Sequence, residues 1–322
     1  MRIIAWLFAA AMMLDGSSGS VRRRTRIGAY IGDGRSDPST VWDAQAPGLG
    51  RYLTGIQIYD QIVTYNFTNV MQQIHLGHYV TWVIELMETN GYADPGNLAG
   101  IIAGQYDAQL YSLVADVESF EREIRVRIFH EGNGNWYPWA VFTRGNSAAL
   151  FVEAFRHVSG ILRRTDLIQI EFGLNDNSAD GNVVPWSAFA PGDYYFDAAC
   201  LSCYNRAGLD QWDTQWLSFD AVCSPAYDRM LSITEEPLCI GEMSSVPSNP
   251  ANDGWNKTAW IRDAWDTLVG MTRIHHVNWF LLNGYDAAWA LNTPGETEAW
   301  IRGVARFKNA TRVTWAAYST LQ

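Results

Sequence analysis

The sequence predicts an α/β protein of the (β/α)8 barrel class, folded as a single domain. Three observations lead there. Short β-branched or apolar runs bounded by turn residues recur down the whole chain, and they begin near Ile27, Gly55, Tyr79, Ile124, Leu167, Phe196, Leu238 and His275. Most are followed by an amphipathic stretch with apolar residues three and four apart, and strands alternating with helices imply a parallel sheet. The roughly 302 residues after Ser20 average about 38 per unit, the size of a barrel repeat with modest loop insertions. A doubly wound open sheet would announce a phosphate-binding turn after its first strand. The glycines there, Gly28, Gly32 and Gly34, lack the GxGxxG spacing.

In order along the chain, the clearest helices are Ile101 to Val117, Ala148 to Arg163, Pro225 to Ile233, Lys257 to Leu268 and Thr297 to Phe307. Residues 1–20 read as a secretory signal: a basic start at Arg2, an apolar run from Ile3 to Leu14, then a small polar stretch with Ser18 and Ser20 suited to cleavage. That run is too short to span a bilayer, so the expectation is a secreted protein with no membrane partner once the signal is removed, residues 21–322 forming the barrel domain and acting as a monomer. Cys200, Cys203, Cys223 and Cys239 form an even set that allows three disulfide pairings.

Composition narrows the function. The chain has 322 residues, with 23 Lys plus Arg against 34 Asp plus Glu and a net charge of −11, which disfavours nucleic acid and anionic membrane surfaces. Its 15 Trp, 15 Tyr and 13 Phe exceed what a core requires. Flat amphipathic rings stack on the C–H faces of sugars, so sugars are the ligands this count points to, with a Trp-rich core as the alternative.

In a barrel, chemistry sits where strands end at the carboxyl side. The fourth run ends in Arg127-Ile-Phe-His130-Glu131-Gly-Asn133-Gly-Asn-Trp136-Tyr-Pro-Trp139, an apolar strand opening abruptly into Glu, Asn and aromatics. The seventh delivers Glu242 out of Leu238-Cys-Ile-Gly in the same way. Two carboxylates on parallel strands face one mouth. A pair about 5–5.5 Å apart, one protonated and one ionised, is the machinery of a retaining glycosidase. No metal or cofactor is expected. His130-Glu131 lacks the second histidine of a zinc-protease helix, Gly134 standing in its place, and no GxSxG elbow for a serine hydrolase occurs.

These segments resemble glycoside hydrolase family 26, the β-mannanase family of the retaining (β/α)8 clan. Arg127 to Trp139 is similar to the family's acid/base segment, and Ile240-Gly-Glu242 stands where its nucleophile would be. Supporting matches are Gly104-Gln-Tyr-Asp107-Ala, Pro191-Gly-Asp193 through Asp197 to Tyr204-Asn, and Val277-Asn-Trp279-Phe280. The resemblance implies Glu131 as general acid/base against an apolar wall that includes Trp136. It implies Glu242 as a nucleophile receiving a hydrogen bond from Tyr204, His130 as a sugar contact or an orienter of Glu131, and Trp279 as the floor of the subsite over Glu242. Trp136, Trp139, Trp289 and Trp82 are expected along the cleft, Trp82 having core packing as an equal alternative. Asp107 and Asp193 are expected to fix a helix and a turn. Trp289-Ala290 stands where many members have an arginine after the loop aromatic, so the resemblance leaves the distal subsites open. The implied activity is endo-acting hydrolysis of β-1,4-mannan by double displacement. Its rivals are a mixed-linkage β-glucanase, a β-1,3-xylanase and a non-catalytic sugar-binding barrel.

Overall fold

The computed structural model describes residues 25–32, 50–88, 95–209, 211, 213–248, 254–284 and 287–310. The signal segment read at 1–20 lies outside the described residues, as does Gly34. Eight parallel strands close into a barrel: β1 (Arg26–Tyr30), β2 (Gly55–Gln61), β3 (Tyr79–Glu85), β4 (Ile124–Ile128), β5 (Ile168–Asn175), β6 (Ala198–Asn205), β7 (Leu238–Ser245) and β8 (Ile274–Phe280). Closure is made by β1 on β8, in register from Arg26 opposite His276 to Tyr30 opposite Phe280. Each of the eight runs read from sequence is one of these strands.

Around the barrel lie α1 (Phe67–His75), α2 (Leu98–Ile102), α3 (Asp107–Phe120), α4 (Ala148–Leu162), α5 (Phe219–Leu231), α6 (Lys257–Gly270) and α7 (Pro294–Ala310). The expected helix from Ile101 to Val117 is two helices, because Gly104 takes a left-handed φ of 89° between α2 and α3. The helix read from Pro225 starts earlier, capped by Ser218, whose side chain accepts from the Ala221 N–H; Pro225 lies inside it. Helix α1 was not foreseen. Its cap is Asn66, and Asn256 caps α6 in the same way. Asp107 opens α3 and lies 2.7 Å from His157 of α4, while Asp193 accepts from the Glu235 N–H, the structural duties expected of both. After β5 the crossover carries only single 3-10 turns, at Trp186–Ala188 and Asp193–Tyr195. No described helix is long and apolar enough to cross a membrane.

Strand residues alternate between helix layer and barrel axis. Outward positions are apolar: Phe172 of β5 meets Phe155 of α4 and Phe196, and Trp279 of β8 lies among Trp260, Trp265 and Trp300. Inward positions at the middle of the barrel are charged instead of branched aliphatic. Arg127 of β4 donates to Glu171 of β5 at 2.9 and 2.7 Å, and Arg125 and His276 lie 2.9 and 3.0 Å from the other oxygen of the same carboxylate. Buried charges survive only in such matched sets. Cys200 and Cys239, level with one another on β6 and β7, are joined beside this network, and Cys203 of β6 is joined to Cys223 of α5. Glu171, Cys200, Cys239 and His276 bring four potential metal-ligand atoms within 4.8 Å of one another. With the sulfurs bonded to each other and the carboxylate held by arginines, the group is a disulfide beside an ion network.

Candidate active site

Simple strand alternation would not bring the two glutamates together. In β7, Ile240 faces the helix layer, and Glu242, two residues on, should follow it outward. The β6–β7 register slips at this point, pairing Leu201 with Ile240 but Ser202 with Glu242, so Gly241 is an extra residue in the ladder. That bulge turns Glu242 to the axis. Arg127 fits against it, its guanidinium donating to the Gly241 carbonyl at 3.1 Å; a Cβ at Gly241 would lie 2.7 Å from that nitrogen. Only glycine leaves the room.

At the end of β4 the backbone does the re-aiming. Phe129 and Glu131 have φ of 51° and 52°, left-handed conformations that cost non-glycine residues about 1–3 kcal/mol each. The first sends Phe129 outward onto Phe151 and Phe155 and turns His130 inward; the second aims Glu131 into the mouth. Trp139 braces the turn, its indole donating to the His130 carbonyl at 2.9 Å while its ring stacks on Tyr137.

Glu131 accepts from Trp136 Nε1 at 2.8 Å and from Asn175 Nδ2 at 2.9 Å. Asn175 is itself held by buried Asn133, whose Oδ1 accepts from the Asn175 N–H at 2.7 Å. Trp136 therefore meets the carboxylate through its polar edge and not as the apolar wall expected. Glu242 accepts from Tyr204 at 2.9 Å and also from Tyr59. Burial, then the nearby Glu131 charge, pushes Glu242 up to about 7, against the pull of both phenols and Arg127. Burial and the Glu242 charge raise Tyr59 and Tyr204 well above their ordinary values, so both remain donors. Asp176, just past β5, is pushed up to about 8 by burial and then by the Glu131 charge.

His130 is packed between Tyr59, Tyr137 and Trp139 and buried, with no hydrogen-bond partner for either ring nitrogen among the described residues. Burial, then Arg127, lowers it to about 3, so its ring is neutral and can both donate and accept.

The tryptophans divide into two groups. Trp136 keeps 38% of its surface exposed at the mouth. Trp289 packs edge-on against Tyr204 with ring centres 5.2 Å apart, and its carbonyl is held by Ser244 and by the Lys257 ammonium, which also reaches the carbonyls of Ala288 and Ala290. Trp139, expected along the cleft, does not line it: the ring is wholly buried and braces the turn. Trp82 and Trp279 correct the sequence reading. Trp82 points outward to Tyr65 and to Phe67 of α1, its N–H on Asp60, so its alternative role as core is the one it fills. Trp279 cannot floor a subsite, because its outward parity puts it in the helix layer. Its neighbour Phe280 takes the inward place, touching Tyr30 and Tyr204. Sequence reading also missed Tyr59, Glu85, Arg127 and Asn175. All four are inward positions on strands already recognised, and parity alone marks them.

No protein-family model matches the chain. Endoglucanase H of Acetivibrio thermocellus is 32% identical to it over 207 residues, a match covering 63% of this chain and 22% of that protein's length. Among solved structures, GH26C from a Muricauda species superposes with a TM-score of 0.62 at 12% identity, covering 88% of this chain and 86% of that one. A GH26 β-mannanase from Bacteroides ovatus superposes with a TM-score of 0.59 at 13% identity, covering 92% and 91%. The resemblance to glycoside hydrolase family 26 holds. At such identities the family-26 structures speak for the fold, whereas the endoglucanase is alike in sequence over 207 residues.

Proposed function

We propose that the protein is a retaining endo-β-glycosidase of family 26 that cleaves a neutral β-linked polysaccharide, with Glu131 as general acid/base and Glu242 as nucleophile. The observation that carries this is the pair of buried glutamates, aimed into one mouth by two separate backbone irregularities and close enough for the Glu131 charge to raise Glu242.

In the first step the Glu242 carboxylate attacks the anomeric carbon while the Glu131 carboxylic acid gives its proton to the leaving oxygen. In the second, Glu131 as carboxylate takes a proton from water, which displaces Glu242. Tyr59 and Tyr204 hold Glu242 in place. Trp136 and Asn175 hold Glu131. His130, wedged between Tyr59, Tyr137 and Trp139, orients the turn that carries Glu131. The acidic surface meets no opposing charge on a neutral polymer, and secretion as a monomer is consistent with the leader read at 1–20.

β-1,4-Mannan is the substrate implied by the sequence segments and by the mannanases that share the fold. A second reading, a β-glucan, is favoured by the 32% identity to an endoglucanase, well above the 12–13% to the family-26 structures. Incubation with mannan, barley glucan and β-1,3-xylan, followed by sizing of the products, tests both. Oligosaccharides from one of the first two are expected. No product from any of the three, or products unchanged in Glu242→Ala, would reject the catalytic reading.

A further inference from the structure

The mouth holds a third carboxyl group. Glu85, the last residue of β3, has the inward parity of Tyr79, Thr81 and Val83, opposite to outward Trp82, and only 7% of its surface is exposed. Its main chain is engaged, the carbonyl accepting from Ile62 and Met87. Its carboxyl group receives no hydrogen bond from any described residue, although Glu242 of β7 and Asp60 of β2 are near enough for their charges to act on it. Asp60 differs, because its carboxylate accepts from Trp82 Nε1 at 2.9 Å.

A buried carboxyl group without a donor is costly, and proteins rarely keep one that nothing satisfies. Among the described residues the ionisable neighbours, Glu242 and Asp60, supply only negative charge, and no indole, phenol or amide donates to Glu85 as these do to the other two glutamates. The buried cations are engaged elsewhere. Arg125 and Arg127 are turned to Glu171 deeper in the barrel, and Lys257 is closed off by three carbonyls. With no donor left among the described residues, the donor is what enters the mouth: water in the free protein and, with substrate bound, the hydroxyls in which sugars are dense.

Resting on the reading of the mouth as a glycosidase site, we propose that Glu85 is a further substrate-binding residue whose carboxyl group hydrogen-bonds a hydroxyl of the sugar ring seated over Glu242. No bond is made or broken in this role. It makes Glu85 a specificity element, since a site built to bind a hydroxyl rejects a ring that lacks it or turns it away. It also places a second carboxyl beside the nucleophile, so that ionisation of either opposes ionisation of the other.

The test uses the full chain with Glu85→Gln and Glu85→Ala. On whichever polysaccharide the wild type cleaves, kcat/KM should fall about tenfold in the amide, which keeps an acceptor, and about a hundredfold in the alanine variant. The acidic limb of the pH profile should move to lower pH in both, because a negative neighbour of Glu242 is gone. Melting temperatures should be unchanged or higher. Oligosaccharide binding by calorimetry, in a Glu242→Gln background, should weaken in the same order; this arm reports on Glu85 even if the barrel binds sugar without turnover. Unchanged kcat/KM and unchanged oligosaccharide binding would overturn the proposal. So would a loss that follows a lowered melting temperature with the pH limb unmoved. Failure of the catalytic reading would show separately, as a wild type that cleaves nothing.

Discussion

The two glutamates are buried almost equally, at 8% and 7% exposure, yet they are supported by different parts of the molecule. Glu242 is set by the barrel itself: a register slip at Gly241, Arg127 behind it, and two phenols from β2 and β6. Glu131 stands on a left-handed turn beyond β4, and one of its two donors, Trp136, lies on a partly exposed loop. In the proposed mechanism the nucleophile, which must meet one carbon at one angle, is thus the carboxyl built into the sheet. The proposed acid/base, which must give a proton in one step and take one in the next, is the carboxyl at the rim, where a proton can reach water.

The largest expected effect lies at the sheet-held member. Glu242→Ala should reduce kcat on every substrate by a factor on the order of 10⁴ or more, without loss of folding by circular dichroism. Glu131→Ala should cost about 10²–10⁴ on polysaccharide and spare formation of the glycosyl-enzyme from an activated aryl glycoside, whose leaving group needs no proton. Equal losses on both substrates, measured by burst kinetics, would break the contrast between the two carboxyls.

Removing a donor from each glutamate sharpens it. With Glu242 raised to about 7, a nucleophile at this position gains its working charge as pH rises toward neutrality, so the proposed mechanism puts the acidic limb of kcat/KM near pH 7. Tyr204→Phe takes away a bond that favours the charged form. The limb should then move to higher pH and kcat should fall about tenfold. Trp136→Phe, on the other glutamate, should leave that limb in place.

Two smaller effects concern stability. Trp279→Ala should cost about 3–5 kcal/mol, read from denaturant midpoints, and leave KM nearly unchanged, because the ring fills the helix layer and not a subsite. Glu85 is raised to about 7 by burial and then by Glu242 and Asp60, above its ordinary 4.5. The folded state therefore holds the proton more tightly than the unfolded chain, and stability falls as pH climbs from about 4.5 to about 7. Glu85→Gln removes this dependence, so its melting temperature should gain on the wild type by on the order of 2–4 °C across that window.

Much of the fold was legible because a parallel barrel strand is a short apolar run with clear punctuation, and all eight runs carry it. Glu131 and Glu242 were legible because a glutamate after such a run breaks the pattern. The direction of side chains was less so. Trp279 follows Val277 in parity, and reading that alternation would have placed Phe280 at the axis in its stead. The bulge at Gly241 has no local signature, since a glycine before a glutamate fits a regular strand equally well; it exists because Arg127, 114 residues away along the chain, needs the space. The charged interior was hidden for a related reason. Arg125, Arg127 and Glu171 look like solvent-facing positions until the barrel closes and makes them one another's partners. Glu85 carries no such mark, because a glutamate closing an apolar strand reads as its polar end.

The account turns on one glutamate attacking from the sheet while the other serves it from the rim, and the stereochemistry of the first product reports this directly. Proton NMR during early hydrolysis should show the β-anomer of the new reducing end appearing first and converting to α only by mutarotation. Initial release of the α-anomer would mean direct attack by water, and would contradict the assignment of Glu242 as a nucleophile.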